Sequence, residues 1–173
     1  YSLILNNLAT LYSDTNRTDE AIKLQEEAKK ITEEAYLKDK DRWFGDYSRS
    51  LNDLALSYSK TNRIDEAIKL QEEALDILKE AYLKDKDRWL GDYSLILNNL
   101  ATLYSDTNRT YEAIELQEKA KKITEEAYLR DKDRWFEDYS LILNDLYLLY
   151  SNNGRTAEAK SLLEKLQKIQ NNN

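Results

Sequence analysis

The sequence predicts an all-α fold, a solenoid of stacked antiparallel helix hairpins, and three observations carry that expectation. The chain repeats every 46 residues, with copies opening at Tyr1, Tyr47, Tyr93 and Tyr139. A fixed period of about 20–50 residues marks a stacked repeat architecture. Within each copy, apolar residues recur at helical spacing on both sides of a short polar cluster. Helix breakers are scarce: there is no Pro, and the only glycines are Gly45, Gly91 and Gly154, so little interrupts helix formation.

The copies are residues 1–46, 47–92, 93–138 and a shortened 139–173, read together as one repeat array. The first and third differ at five positions only: Asp19/Tyr111, Lys23/Glu115, Glu27/Lys119, Lys38/Arg130 and Gly45/Glu137. The first helix of a copy is set by the stripe Leu5, Leu8, Ala9 and Tyr12, whose spacing has a period near 3.6. It ends in the turn-forming cluster Ser13 to Arg17. Asn16, Asn62, Asn108 and Gly154 share one position there. Asn and Gly best tolerate the left-handed conformation that ends a helix, so a positive φ is expected at this site.

The second helix starts near Thr18, with Asp19 and Glu20 at its positive N-terminal end. Its stripe runs Ala21, Leu24, Ala28, Ile31 and Ala35, and it is expected to reach Leu37 or Lys38. The small alanines let neighbouring helices approach closely. Lys38 to Arg42 reads as a charged connector, with the next helix beginning as early as Arg42. Both connections are short, so paired helices run antiparallel and hairpins stack side by side. Trp43, Trp89 and Trp135 fall at the junctions. That corner position favours burial between layers over a role as binding hot spots. Tyr36, Tyr82 and Tyr128 read the same way. Tyr111, opposite Asp19, Asp65 and Ala157, reads as an isolated exposed aromatic.

The frame formed by Leu5, Leu8, Ala9, Tyr12, Asn16, Ala21 and Ala28 recurs 46 residues later and again after another 46. Leu143, Leu146, Tyr150, Gly154 and Ala159 keep it in the fourth copy. It resembles the tetratricopeptide repeat, and the L-N-N-L-A opening is most similar to the long repeats of kinesin light chains and many bacterial repeat proteins. The departures are a period of 46 residues where about 34 is usual, the missing closing Pro, Gln25, Gln71 and Gln117 in place of a large residue, and Tyr147 in place of a small one. The resemblance implies a right-handed superhelix whose concave face is lined by the first helices, and a protein or peptide partner held in that groove.

Positions opposite the apolar stripe supply the candidate contact set: Asn6, Asn7 and Asp14; Arg49, Asn52, Asp53 and Lys60; Asn98, Asn99 and Asp106; Asn144 and Asp145. Asn6, Asn52, Asn98 and Asn144 form a ladder, one per layer. Asn is a mediocre helix former, so its presence mid-helix asks for a reason. A side-chain amide donates and accepts, matching a peptide backbone. In related repeat proteins the second position of the pair, here Asn7 and Asn99, is a typical peptide contact. The ladder equally suits a bond between layers, or a residue copied by duplication. Arg49 and Lys60 place positive charge in the second layer, where an acidic ligand residue is expected.

With neither Cys nor His, the chain lacks a disulfide framework, thiol chemistry and an imidazole ligand. No cofactor and no metal site are expected, and Lys38 to Asp41 lacks the geometry of a calcium loop. Asn16-Arg17-Thr18 and Asn108-Arg109-Thr110 match the glycosylation acceptor pattern without any sign of secretion. The net charge of −7 disfavours nucleic acid or an anionic membrane surface as partner. No apolar run approaches the ~18 residues of a membrane span, and a cytoplasmic location is expected. Every candidate acid or nucleophile exists in near-copies, whereas an active site is singular, so no enzymatic role is expected. Two readings of function remain: an interaction scaffold, or a structural or sensory array serving as spacer or regulatory tail. Tyr1 opens directly in a repeat, so more repeats or an effector domain are expected before it. The uncapped first layer offers a surface for a weak homodimer.

Overall fold

The computed structural model describes residues 2–15 and 17–171. Among these the chain forms eight helices and no strand: α1 (Ser2–Asp14), α2 (Thr18–Lys38), α3 (Lys40–Lys60), α4 (Ile64–Lys84), α5 (Lys86–Asp106), α6 (Thr110–Arg130), α7 (Lys132–Asn152) and α8 (Thr156–Asn171). They group into two compact units, Tyr1–Ile96 and Leu97–Asn173. In the first, α1 packs on α2, α2 on α3, and α3 on α4; in the second, α6 packs on α7 and α7 on α8.

The turns inside the second, third and fourth hairpins are Schellman caps, which close a helix with one left-handed residue. Asn62 has φ 63°, Asn108 φ 61° and Gly154 φ 71°, as the Asn/Gly interchange predicts; Asn16 lies outside the described residues. The Arg63 N–H donates to the Tyr58 carbonyl at 2.8 Å and the Asn62 N–H to that of Ser59 at 3.0 Å. The same Arg then locks the turn. Its guanidinium lies 3.6 Å from the centre of the Tyr58 ring and its Nε donates to Glu66 at 2.7 Å. Arg17, Arg109 and Arg155 repeat the stack on Tyr12, Tyr104 and Tyr150.

The joint between hairpins differs from the expected charged connector. One residue separates α2 from α3, and Asp39 caps both. Its N–H donates to the Ala35 carbonyl at 3.1 Å, and its side chain accepts from the Arg42 N–H at 3.2 Å. Asp85 and Asp131 do the same for Arg88 and Arg134. A single extended, N-capping Asp satisfies both helix ends, so the first helices begin at Lys40 and its counterparts, two residues before Arg42. Helices of 21 residues in both halves of the hairpin therefore account for the long period.

The alanines of the second helices, Ala21, Ala28, Ala67, Ala74, Ala113 and Ala120, are fully buried, as are Leu51, Leu97 and Leu143 of the first helices. Next to the joint, Tyr47, Tyr93 and Tyr139 are buried almost completely. Their rings meet Tyr36, Tyr82 and Tyr128 at centroid distances of 5.1, 4.8 and 5.0 Å, a separation suited to tilted or offset aromatic pairs. Trp89 is buried edge-on against Phe44, with centroids 6.4 Å apart; Trp43 and Trp135 are half-buried. A Cβ on Gly45 would lie 3.1 Å from Trp89 Cη2, so that glycine serves close approach, not a special backbone angle. Tyr147 is half-buried, and Tyr111 is 91% exposed.

Candidate functional site

Of the first helices, α3 packs between α2 and α4 and α7 between α6 and α8, and each keeps one side exposed. In the N-terminal unit that open side carries Leu56 and Leu95, and in the C-terminal unit Leu141 and Leu148, all about half exposed. Beside them lie clefts between successive first helices. One of about 200 Å³ in the N-terminal unit is bounded by Asn6, Thr10 and Ser13 of α1, Gln25 of α2, and Asp53 and Lys60 of α3. Its counterpart of about 160 Å³ in the C-terminal unit is bounded by Thr102, Ser105 and Asp106 of α5, Gln117 of α6, and Asp145 and Asn152 of α7. A smaller one of about 70 Å³ sits at Arg49, Asn52 and Leu95.

The candidate residues divide into those spent on the fold and those left open. Asn52 is buried and accepts from Gln71 Nε2 at 2.9 Å. Asn98 is buried and accepts from Gln117 Nε2, and it also hydrogen-bonds the carboxylate of Asp145 in the next layer. Half-buried Asn6 donates to Asp53 Oδ2 at 3.2 Å. Asn7, Arg49, Lys60, Asp106 and Asn144 are exposed, Asn99 is half-buried, and the Asp14 side chain lies outside what is described. Arg49 reaches Asp46 at 3.9 Å.

Burial raises the carboxyl of Asp53 above its ordinary range, opposed by the Arg49 charge and a hydrogen bond from Asn52. Burial likewise raises Asp145, opposed by hydrogen bonds from Asn98 and Asn144. A desolvated carboxylate held by neutral amides remains an electrostatic demand that an incoming donor can meet.

The glutamines are the residues beside the ladder that sequence reasoning passed over. Gln25, Gln71 and Gln117 stand out in the sequence only as packing departures, yet all three are buried. The signal was a fixed offset: Gln lies 19 residues after the ladder Asn in both bonded pairs. The fourth copy tests this. Its matching position holds Leu163, and there Asn144 is exposed.

Tetratricopeptide repeat family models match residues 1–80, 95–131 and 148–173. No curated protein sequence matches the chain. Among solved structures, BtubC (BKLC) from P. vanneervenii is similar with a TM-score of 0.80 at 23% identity, over 98% of this chain and 63% of that one. RapI in its apo form gives 0.78 at 13% identity, over 99% and 56%. Aspartyl phosphate phosphatase F from Bacillus subtilis gives 0.77 at 12% identity, over 99% and 40%. The chain thus spans less than two thirds of each, and the likeness is one of fold: a helical-repeat solenoid.

Proposed function

We propose that this chain, which belongs to the tetratricopeptide-repeat family, is an interaction scaffold that holds a segment of a protein partner on the open side of the first helices within a unit. The observation that carries the reading is the half-exposed leucines on the open sides of the first helices, Leu56 and Leu95 in the N-terminal unit and Leu141 and Leu148 in the C-terminal unit, set beside polar clefts. Apolar anchors next to unspent hydrogen-bonding groups suit a peptide, which offers side chains and backbone together. In this reading Asn7, Arg49, Lys60, Asp106 and Asn144 touch the partner, while Asn52 and Asn98 hold the layers that present them.

The test is capture of a partner from a lysate of the source cells by the intact chain, repeated with Leu56→Glu and Leu148→Glu. Leu83→Glu is the control, because Leu83 is 68% exposed and lies away from the face. Loss of capture with the two face variants alone supports the reading; equal capture by all three variants refutes it. A second surface is proposed for weak self-association. Ile4 and Leu11 are exposed, whereas Ile142 and Leu149 at the same positions are buried. Leu11→Asp is expected to abolish any concentration-dependent sedimentation of the chain; unchanged sedimentation would remove this surface from consideration.

A further inference from the structure

We propose that the cleft between α5 and α7 in the C-terminal unit receives one arginine side chain of the partner segment, a refinement that rests on the scaffold reading above. Three observations converge on a cation.

The first is a forced set of amide orientations. Asn98 acts on the Asp145 carboxyl and lowers it, and because an ionised carboxylate can only accept, Nδ2 is the group of Asn98 suited to it. That leaves Asn98 Oδ1 facing Gln117, which must offer its Nε2. Gln117 Oε1 is then left without a partner on a side chain that is 1% exposed and bounds the cleft. A buried acceptor without a donor is a rare arrangement in a folded protein.

The second is the charge around the cleft. Asp106 and Asp145 border it together with Thr102, Ser105 and Asn152, and no Lys or Arg does so among the described residues. Burial holds Asp145 above the usual carboxylate range, and the groups acting on it from its surroundings are the neutral amides of Asn98 and Asn144.

The third comes from the matching cleft of the N-terminal unit. The two share Thr10/Thr102, Ser13/Ser105, Gln25/Gln117, Asp53/Asp145 and Leu56/Leu148. They differ in their cations. Asp53 has Arg49 one turn away and Lys60 at the rim; the same positions beside Asp145 are Leu141 and Asn152. The C-terminal cleft keeps the carboxylate and lacks both built-in counter-charges, so the counter-charge comes from the ligand.

Arginine fits better than lysine. Its planar fork takes a carboxylate with two N–H groups and leaves others for a carbonyl such as Gln117 Oε1, whereas an ammonium is a compact, strongly hydrated charge. The methylene stem would lie along Leu148 and Leu149 on the cleft wall.

The probe is a capped leucine–arginine–leucine tripeptide, titrated at millimolar concentration into the isotope-labelled full chain and followed by amide shifts. Its citrulline twin, of the same shape without the charge, is the control. Shifts are expected around Thr102, Asp106 and Leu148, about tenfold weaker for the citrulline peptide. Asp145→Asn should weaken binding by a similar factor. Asn152→Lys, an exposed change that copies Lys60, should abolish it without altering the rest of the spectrum. Equal binding of the two peptides, indifference to both variants, or shifts mapping elsewhere would overturn the assignment. Failure here with capture still dependent on Leu56 and Leu148 would leave the scaffold standing and remove only the arginine; capture indifferent to those leucines would remove the scaffold itself.

Discussion

Replacing Asn98 by Ala separates a ladder that holds the layers from one that only contacts ligand. Asn98 is 8% exposed, accepts from Gln117 and hydrogen-bonds Asp145. Its loss strands Gln117 Nε2 in the interior, which costs about 1–3 kcal/mol. The hydrogen bond to the half-exposed carboxylate adds about 1 kcal/mol, since water replaces part of it. Better helix propensity of Ala returns about 0.5 kcal/mol. The net expectation is a loss of about 1.5–3.5 kcal/mol in urea unfolding followed by far-ultraviolet circular dichroism. With Gln117→Leu already in place, no amide is stranded, and Asn98→Ala should cost only about 0.5 kcal/mol. Asn144→Ala is the control: it is exposed and faces no Gln, so its effect should stay within about 0.5 kcal/mol. Asn98→Ala no more harmful than Asn144→Ala, or a cycle additive within about 0.5 kcal/mol, would refute the buried pair.

Gly45→Glu, which copies Glu137 of the third repeat, pushes a Cβ into the Trp89 ring at 3.1 Å. It should destabilise by about 1–3 kcal/mol, visible as a lowered Tm; an unchanged Tm would show that the ring is not held there. Asp53→Asn tests burial of charge. The folded-state carboxyl of Asp53 is raised above 3.8, so its contribution is fully present below that value and is lost as pH rises through the folded pKa. The variant should therefore be more stable than the parent at neutral pH and equal to it below about pH 3.8; a gap of the opposite sign would mean that Arg49 outweighs desolvation.

Much of this fold is written in local sequence, and what is not has a physical reason. Hairpin turns were legible because a left-handed residue leaves a compositional trace, Asn in three copies and Gly in the fourth. The joint at Asp39 was not, because Lys-Asp-Lys-Asp-Arg shows no apolar period. One N-capping Asp in an extended conformation suffices to end one helix and start another. Burial of Tyr47 was hidden in a similar way, since its partner Tyr36 lies across that joint on a different helix. The ladder stayed ambiguous because a period conceals its own contacts. Asn6 meets Asp53, 47 residues on, and a bond from one layer to the next maps onto nearly the same repeat position as a bond within a layer. Only the fourth copy, where Leu163 replaces Gln and Asn144 is exposed, breaks that degeneracy.

Near-identical copies also make the chain its own series of variants. Asp53 and Asp145 depart from the Asn7 and Asn99 of the other layers, yet each is tied to the ladder Asn of the layer before it. They belong to a frame that the two units share. Charge varies on top of that frame: Arg49 against Leu141, and Lys60 against Asp106 and Asn152. These are exposed helix positions, where a substitution typically moves stability by under about 0.5 kcal/mol. The same substitution decides whether a half-buried carboxylate meets a cation from its own chain or from a ligand. Stability therefore places little restraint on these positions, while the chemistry offered to a partner changes sign with them. Exchanging Lys60 with Asn152 and Arg49 with Leu141 should then exchange ligand preference between the clefts while leaving the unfolding midpoint in place.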